Sequence, residues 1–248
     1  MIRVQGIGKS FGGQSVLKGC DLEIASGETM VIMGQSGAGK SVLLKIIAGL
    51  LTQDEGSVTI DGRHRHEMGE EEREDLALRF GYLFQGAALF DSMTVGENVV
   101  FALRRHGRHS EKRLRDLAEE RLGWVGLKGI QDRNPAELSG GMRKRVGLAR
   151  AVAMEPSFVL YDEPTTGLDP VTAGAINDLI ISLQARLAIT SIVVTHDMAS
   201  VFKVGHRMAM LHQGRIIETG TATSFRRSKN PVIQQFIHGR SKGPISVL

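Results

Sequence analysis

Continuous apolar runs are the main pattern along this chain. Three of them lie within residues 29–33 (TMVIM), 156–164 (PSFVLYDEP) and 190–197 (TSIVVTHD), and a fourth is FGYLF at residues 80–84. Short apolar runs without polar alternation are typical of strands that are buried on both faces of a parallel sheet. The pattern therefore predicts an α/β protein with a mainly parallel core sheet.

Two segments have helical patterns. The apolar run VLLKIIAGLL at residues 42–51 follows a glycine-rich loop, and SEKRLRDLAEERLGWVGL at 110–127 has apolar residues near helical spacing. Those residues are Leu114, Leu117, Leu122 and Val125. Lys45 interrupts the longest apolar run, which is shorter than the ~18 residues that a membrane span needs. With no apolar signal-peptide core at the start, we expect a cytoplasmic, non-spanning protein.

Composition narrows the class of protein only slightly. Hydrophobic residues make up 42% and charged residues 23%, which indicates a packed core. The 30 glycines occur singly and in pairs, so they indicate tight loops rather than a flexible linker. A net charge of +4 is too small to indicate a nucleic-acid partner. The single cysteine, Cys20, excludes an internal disulfide and fits a reducing compartment.

The glycine-rich loop at residues 34–41 has the sequence GQSGAGKS, which fits the P-loop (Walker A) pattern G-x-x-x-x-G-K-[ST]. Its strand–loop–helix context is the one that this motif requires. The glycines let backbone N–H groups face the phosphates. The lysine places a positive charge beside the β- and γ-phosphates, and the serine hydroxyl is a Mg²⁺ ligand. The predicted ATP-binding residues here are Gly34, Gln35, Ser36, Gly37, Ala38, Gly39, Lys40 and Ser41.

Polar side chains at the ends of the predicted strands complete a candidate hydrolytic site. Asp162 can hold Mg²⁺, and Glu163 can accept a proton from the attacking water. Taken alone, the two carboxylates would more often cap a loop; with a P-loop present, the catalytic interpretation is favoured. His196 follows another buried strand. A lone histidine is usually structural, but ligands bind at the strand C-termini of α/β sheets, so His196 is a candidate γ-phosphate contact.

A second glycine corner lies in AELSGGMRKR at residues 136–145. Ser139, Gly140 and Gly141 precede a predicted helix, and a helix N-terminus with exposed N–H groups suits an anion. One chain thus contains two candidate phosphate-binding corners.

The motifs along the chain are, in order, GQSGAGKS, Gln85, LSGGM, VLYDEP, GLD and His196. With this set, the chain resembles the nucleotide-binding subunit of ABC transporters over about residues 2–225. The resemblance implies that two copies face each other head to tail, each ATP being held between one P-loop and the partner's Ser139-Gly140-Gly141 corner. It further implies that Phe11 stacks on adenine, that Gln85 senses Mg²⁺ and water, and that Asp169 lies at the dimer interface. The family's signature usually ends in glutamine, whereas this one ends in Met142, which puts the interface role of that position in doubt.

The implied architecture is a P-loop ABC ATPase fold with a mainly parallel core sheet and an N-terminal antiparallel β region. The ATPase domain would span residues 1–225, with a helical subdomain inserted at about 86–155. Residues 226–248 would form a tail that docks on the partner; a frayed terminus is the alternative.

Three segments resemble the Mla-type ATPases, which power phospholipid transport in the Gram-negative envelope. They are GAALFDSMTVGENVVFAL after Gln85, the motif YDEPTTGLDP (together with LSGGM), and a tail with QFI followed by GPI. Phe90 and Met93 would lie in a groove for a membrane partner, although ordinary core packing is the alternative. The implied partners are a second copy, an integral membrane permease, and small regulatory and lipid-binding subunits, with no nucleic acid. The implied location is the cytoplasmic face of the inner membrane.

Two function classes compete with this interpretation. One is the ATPase of an importer for another substrate, such as an amino acid or a metal chelate. The other is a soluble ABC-type switch acting on ribosomes or DNA, for which the chain lacks a second nucleotide domain and long coiled coils.

Two charged segments have no assigned chemistry. The basic run at residues 104–115 is either a solvated surface, which charge runs usually are, or a face near anionic lipid. Residues 63–75 contain His64, His66 and several acids. Their spacing fits no strong metal template, so we expect a surface loop and the start of a helix.

Overall fold

The computed structural model describes residues 1–246; the last two residues of the predicted tail, Val247 and Leu248, lie outside the described residues. The chain divides into two compact units. Unit 1 contains Met1–Glu67 and the chain from Val193 onward, and unit 2 contains Met68–Ile192. None of the helices in residues 1–246 is long and apolar enough to cross a membrane.

Unit 1 begins with an antiparallel sheet, as expected. Its strand order is β2-β1-β4-β5. The strands are β1 (Ile2–Phe11), β2 (Gln14–Ile24), β4 (Glu55–Ile60) and β5 (Arg63–His64). In the centre of the sheet Ile2 is paired with Ile24 on one side and with Ile60 on the other, and all three are buried. Alternating apolar side chains form the inner face of this sheet.

The second group of strands in unit 1 carries the P-loop. Strand β3 (Thr29–Met33) pairs in parallel with β9 (Arg207–His212), which pairs antiparallel with β10 (Arg215–Gly220). All five residues of β3 are buried, as the continuous apolar run predicts. The helices of unit 1 are α1 (Lys40–Ala48), α7 (Met198–Val204), α8 (Ala222–Arg227) and α9 (Pro231–Ile237), and Arg65–Glu67 forms a 3-10 turn.

Unit 2 is built from parallel strands and helices. Strand β6 (Phe80–Leu83) pairs in parallel with β7 (Phe158–Asp162). The residues of β8 (Thr190–Thr195) divide between the two units. The helices are α2 (Glu70–Leu78), α3 (Val95–His106), α4 (Glu111–Trp124), α5 (Gly140–Ala151) and α6 (Pro170–Leu187), with a 3-10 turn at Pro135–Glu137.

The amphipathic helix predicted at residues 110–127 is confirmed as α4. Ser110 caps its N-terminus, and the four apolar residues at helical spacing are all buried. The basic run that includes the start of this helix has acidic neighbours. Arg104 pairs with Glu111 at 2.8 Å, and Arg115 pairs with Asp132 at 3.0 Å, with both pairs exposed. This arrangement fits the solvated-surface interpretation.

Helix α1 is shorter than its apolar run. It ends at Ala48 because Gly49 adopts the left-handed conformation with φ of 74°. Arg65, from the histidine-containing segment, then satisfies the helix end. Its guanidinium donates to the carbonyls of Ile46, Ile47 and Ala48 at 2.7–3.0 Å. Among the described residues no group of three or more His, Cys, Asp or Glu could hold a metal ion.

The tail folds on unit 1 as far as it is described. Ile233 of α9 is fully buried and Ile245 is nearly so. The Gln235 side chain joins them, since its amide accepts from the Ile245 N–H at 2.7 Å and donates to the Ile245 carbonyl at 3.1 Å. Phe236 and Ile237 are only half-buried. Docking of the tail on a partner stays a prediction, and these two side chains keep exposed apolar surface for it.

Substituting Gly49 by alanine should destabilise unit 1 in two ways. The left-handed φ costs about 1–2 kcal/mol for a residue with a Cβ. That Cβ would also lie 1.1 Å from Nη2 of Arg65 and displace the guanidinium from three carbonyls. We expect Gly49→Ala to lower the free energy of unfolding by about 2–4 kcal/mol in urea titrations.

Gly27→Ala is the matched control, because Gly27 has φ of 72° and open space where its Cβ would lie. It should lose only the conformational part, about 1–2 kcal/mol. Equal losses in the two variants would show that Arg65 does not stabilise the end of α1.

Candidate nucleotide site

The P-loop of unit 1 connects β3 to α1 by a tight backbone path. Gly34 follows β3 and has no room for a side chain, because a Cβ there would lie 2.3 Å from the backbone oxygen of Leu211. At the loop tip Ser36 and Gly37 are exposed to solvent. The loop therefore presents its tip and the N-terminus of α1 on the surface, where the helix dipole favours a negative charge.

Lys40 is the first residue of α1 and is only 6% exposed. Its Nζ donates to the carbonyls of Gly34 at 2.8 Å and Gln35 at 2.9 Å. The ammonium thus lies along the inside of the loop and stabilises its curvature. Ser41 follows on the same helix turn and is half-buried.

Two further predicted residues of unit 1 are exposed. His196 directly follows β8, and the next residue, Asp197, caps α7 through bonds to the N–H groups of Ala199 and Ser200. Phe11 ends β1 and is 47% exposed, with Lys9 Nζ 5.4 Å from its ring centroid. A half-exposed aromatic ring offers a face on which a base can stack.

The carboxylates of unit 2 lie at the end of β7, where both are buried. Asp162 accepts from the Tyr82 hydroxyl at 3.3 Å, and Glu163 accepts from the Thr166 hydroxyl at 3.0 Å. Burial, together with the Asp162 charge, raises the pKa of Tyr82 well above its ordinary value, so this phenol remains a proton donor. The two carboxylates are therefore oriented by separate hydroxyl groups.

Sequence reasoning missed Lys144, which contacts two predicted site residues. Lys144 is 5% exposed on α5, and its Nζ donates to the backbone carbonyl of Gln85 and, at 3.1 Å, to that of Glu163. Burial lowers the pKa of Lys144, whereas the charges of Glu163 and Asp162 act in the opposite direction. The sequence signal for its burial was its spacing on the helix, because Gly147, Leu148 and Ala151 at i+3, i+4 and i+7 are also buried.

The second glycine corner begins α5. Ser139 is the N-cap and its hydroxyl accepts from the Met142 N–H at 3.3 Å, so Gly140 and Gly141 lie inside the first helical turn rather than before it. Met142 takes part in this cap through its backbone N–H, which any residue except proline can supply. Ser139 and Gly140 are exposed.

Asp169 belongs to the same surface as this corner. It caps α6 by accepting from the N–H groups of Val171 and Thr172 and from the Thr172 hydroxyl. The Thr172 hydroxyl is the main reason that the pKa of Asp169 lies below its ordinary value. Gly141 faces the methyl group of this same Thr172. The structure thus brings the Ser139–Gly141 corner and Asp169 together within unit 2.

A family model described as "ABC transporter" matches residues 17–166. The chain belongs to the ABC transporter family. The predicted fold and family are confirmed, and so is the prediction that the chain is an ATPase with ATP as its nucleotide.

Several curated proteins are similar to this ABC ATPase over nearly its whole length. The "Probable ribonucleotide transport ATP-binding protein mkl" of Mycobacterium leprae is 41% identical, covering 99% of this chain and 71% of the relative. "Protein TRIGALACTOSYLDIACYLGLYCEROL 3, chloroplastic" of Arabidopsis thaliana is 42% identical, covering 99% and 75%. The "Intermembrane phospholipid transport system ATP-binding protein MlaF" of Haemophilus influenzae is 36% identical, covering 99% and 93%.

Among solved structures, the ATP-binding cassette MJ0796 has a similar fold. Its dimeric post-hydrolysis state bound to ADP and Pi superposes with a TM-score of 0.82 at 33% identity. The match covers 89% of this ABC ATPase and 98% of the cassette.

The two signature glycines of this ABC ATPase should respond differently to alanine. A Cβ on Gly141 would lie 2.7 Å from Thr172 Cγ2, whose rotamer is held by the bond to Asp169, while a Cβ on Gly140 would meet only Leu168 at 3.8 Å. Without nucleotide, Gly140→Ala should keep or raise the free energy of unfolding, by up to about 1 kcal/mol from helix propensity. Gly141→Ala should lower it by about 1–2 kcal/mol through overpacking.

Urea titration of both variants, with the wild type as reference, measures the difference. Equal effects of the two alanines would mean that Gly141 does not pack tightly against Thr172.

Proposed function

We propose that this chain is the ATP-hydrolysing subunit of an ABC complex that moves phospholipid between membranes of a Gram-negative envelope. The observation that carries the substrate class is the match to MlaF, which aligns over 93% of that protein's length. The Arabidopsis relative is named after a glycerolipid, which supports lipid as the substrate class. The site residues that the sequence predicts would supply the groups that hydrolysis requires.

The proposed phosphate-binding group is the P-loop. Its backbone N–H groups and Lys40 would hold the β- and γ-phosphates, and Phe11 would stack on the adenine. His196 would contact the γ-phosphate. Burial of Lys40 along the loop supports this role, since the carbonyls of Gly34 and Gln35 fix the position of its charge.

The proposed Mg²⁺ ligands are Ser41, Gln85 and Asp162. A hydroxyl, an amide and a buried carboxylate form the hard-oxygen donor set that this ion prefers. When bound, Mg²⁺ neutralises charge on the β- and γ-phosphate oxygens. Asp162 is oriented for such a role by Tyr82, which remains a donor to its Oδ2.

Glu163 is the proposed general base. Its carboxylate is buried and accepts from Thr166, which leaves the group in a defined orientation. A carboxylate held in this way can take a proton from the water that attacks the γ-phosphate. Gln85 would orient that water.

We further propose that two copies act as a head-to-tail dimer in which Ser139, Gly140 and Gly141 bind the partner's nucleotide. Exposure of this corner and its adjacency to Asp169 support a surface that another molecule completes. The dimeric MJ0796 structure with ADP and Pi supports the same assembly. An integral permease, with small regulatory and lipid-binding subunits, would hold the dimer at the cytoplasmic face of the inner membrane. The half-buried Phe236 and Ile237 of the tail would dock on a partner.

A second candidate function keeps the mechanism and changes the cargo. It is favoured by the mycobacterial relative, which is named for ribonucleotide transport and is 41% identical.

Glu163→Gln should retain ATP binding and lose hydrolysis, because removing a general base lowers the rate by about 10²–10⁴-fold. Lys40→Ala should weaken both ATP binding and turnover, because it removes the positive charge that would bind the phosphates. Phosphate release and binding of a fluorescent ATP analogue measure the two properties. Wild-type turnover in Glu163→Gln would contradict the assignment of the base.

The cargo is tested by reconstituting the complete complex with its membrane subunits in proteoliposomes that contain a fluorescent phospholipid. We expect ATP-dependent movement of the phospholipid to acceptor vesicles with the wild-type subunit and none with Glu163→Gln. ATP-dependent uptake of a labelled ribonucleotide, with phospholipid unmoved, would favour the second candidate instead.

A further inference from the structure

One face of α5 contacts the loop that follows β6. Three residues on this face, Lys144, Gly147 and Arg150, are spaced three apart, which places them along one side of a helix. Gly147 allows the close approach, since a Cβ there would lie 2.6 Å from Leu83 Cδ1 and 3.2 Å from Ala87 Cβ. The helix and the loop therefore pack at short range between the two basic residues.

The two basic side chains bind backbone carbonyls rather than acids. Arg150 donates to the carbonyls of Ala87 and Ala88, and Lys144 donates to those of Gln85 and Glu163. A charged donor on a carbonyl is stronger than a neutral one. Two segments of the candidate site, one after β6 and one after β7, are thus bound to a single helix.

These contacts coincide with unusual backbone conformations. Ala87, Ala88 and Glu163 have φ of 62°, 48° and 50°, in the left-handed region that residues with a Cβ rarely adopt. Such conformations persist only where the surroundings hold them, and they cluster at functional sites. The carbonyl of each of the three residues accepts from Lys144 or Arg150.

We propose that Lys144 is a positioning residue for ATP hydrolysis, which holds the main chain of Gln85 and of Glu163 in one fixed relation. This inference rests on the proposed function, in which those two side chains orient and deprotonate the attacking water. Lys144 does not touch the reacting atoms. It fixes the positions of the main-chain segments that carry the two side chains. A shift of about 1 Å in such groups can lower a rate by about 10²-fold.

The test is steady-state ATP hydrolysis by the full chain in the same assay as Glu163→Gln. Lys144→Met keeps the length of the side chain and removes the donors. We expect kcat per nucleotide-binding chain to fall about 10- to 100-fold, with KM for ATP and analogue binding within about threefold of wild type. Lys144→Arg restores a charged donor and should recover much of the lost kcat. Lys112→Met, at an exposed position on α4, is the control and should behave as wild type.

A purely structural role would give a different pattern. Fewer chains would bind nucleotide and the melting temperature would fall, but kcat per binding chain would be unchanged; that result would overturn the proposal. So would a rise in KM at constant kcat, or a failure of Lys144→Arg to exceed Lys144→Met. If Lys144→Met yields no folded protein, Lys144→Gln should bind nucleotide with a smaller loss of kcat, and wild-type kcat in it would overturn the proposal.

The proposed function is judged separately, by wild-type hydrolysis and its loss in Glu163→Gln. Active wild type, inactive Glu163→Gln and fully active Lys144→Met would remove Lys144 from the mechanism and leave the function intact. A wild-type chain without ATPase activity would overturn both.

Discussion

Both units depend on one constraint. The backbone carbonyls at the ends of helices, strands and loops need hydrogen-bond donors from elsewhere in the chain. A buried carbonyl without a donor is costly, and regular structure cannot supply a donor at its own ends. This chain meets the requirement repeatedly with basic side chains. Lys40 binds carbonyls inside the P-loop, Arg65 binds those that end α1, and Lys144 binds those that follow β6 and β7. The Lys40 and Lys144 contacts involve residues proposed to act on the nucleotide, whereas the Arg65 contacts end the helix that follows the P-loop.

The same observation changes how the charge of the chain is interpreted. A modest excess of +4 leaves open whether basic residues form a binding face. Several of them are committed within the fold, since Arg121 also binds the Ala153 carbonyl and Arg143 the Leu138 carbonyl. Others pair with acids on the surface, as Arg104 and Arg115 do. For these residues the positive charge supports the fold or is paired with an acid on the surface.

Local patterns carried most of what could be predicted from the sequence. The buried strands follow from continuous apolar runs, α4 from its spacing of leucines, and the P-loop from a complete motif in its required context. Helical spacing indicates that Lys144 is buried, but no local pattern identifies the carbonyls that Lys144 and Arg65 bind, because a basic residue that binds a distant carbonyl has the same letter as one in solvent. The contact depends on tertiary packing that brings residues 85 and 144 together. The end of α1 was misjudged because Gly49 interrupts an apolar run that otherwise continues.

Binding through the main chain also affects how the protein can diversify. Every residue has a carbonyl, so the contacts made by Lys144 and Arg150 do not specify which side chains follow Gln85. The exposed side chains of that loop can therefore be exchanged while its backbone path stays the same. On the proposal that this loop contacts a membrane partner, the subunit could acquire a new partner by changing surface chemistry on the loop, without rebuilding the backbone that carries Gln85 and Glu163.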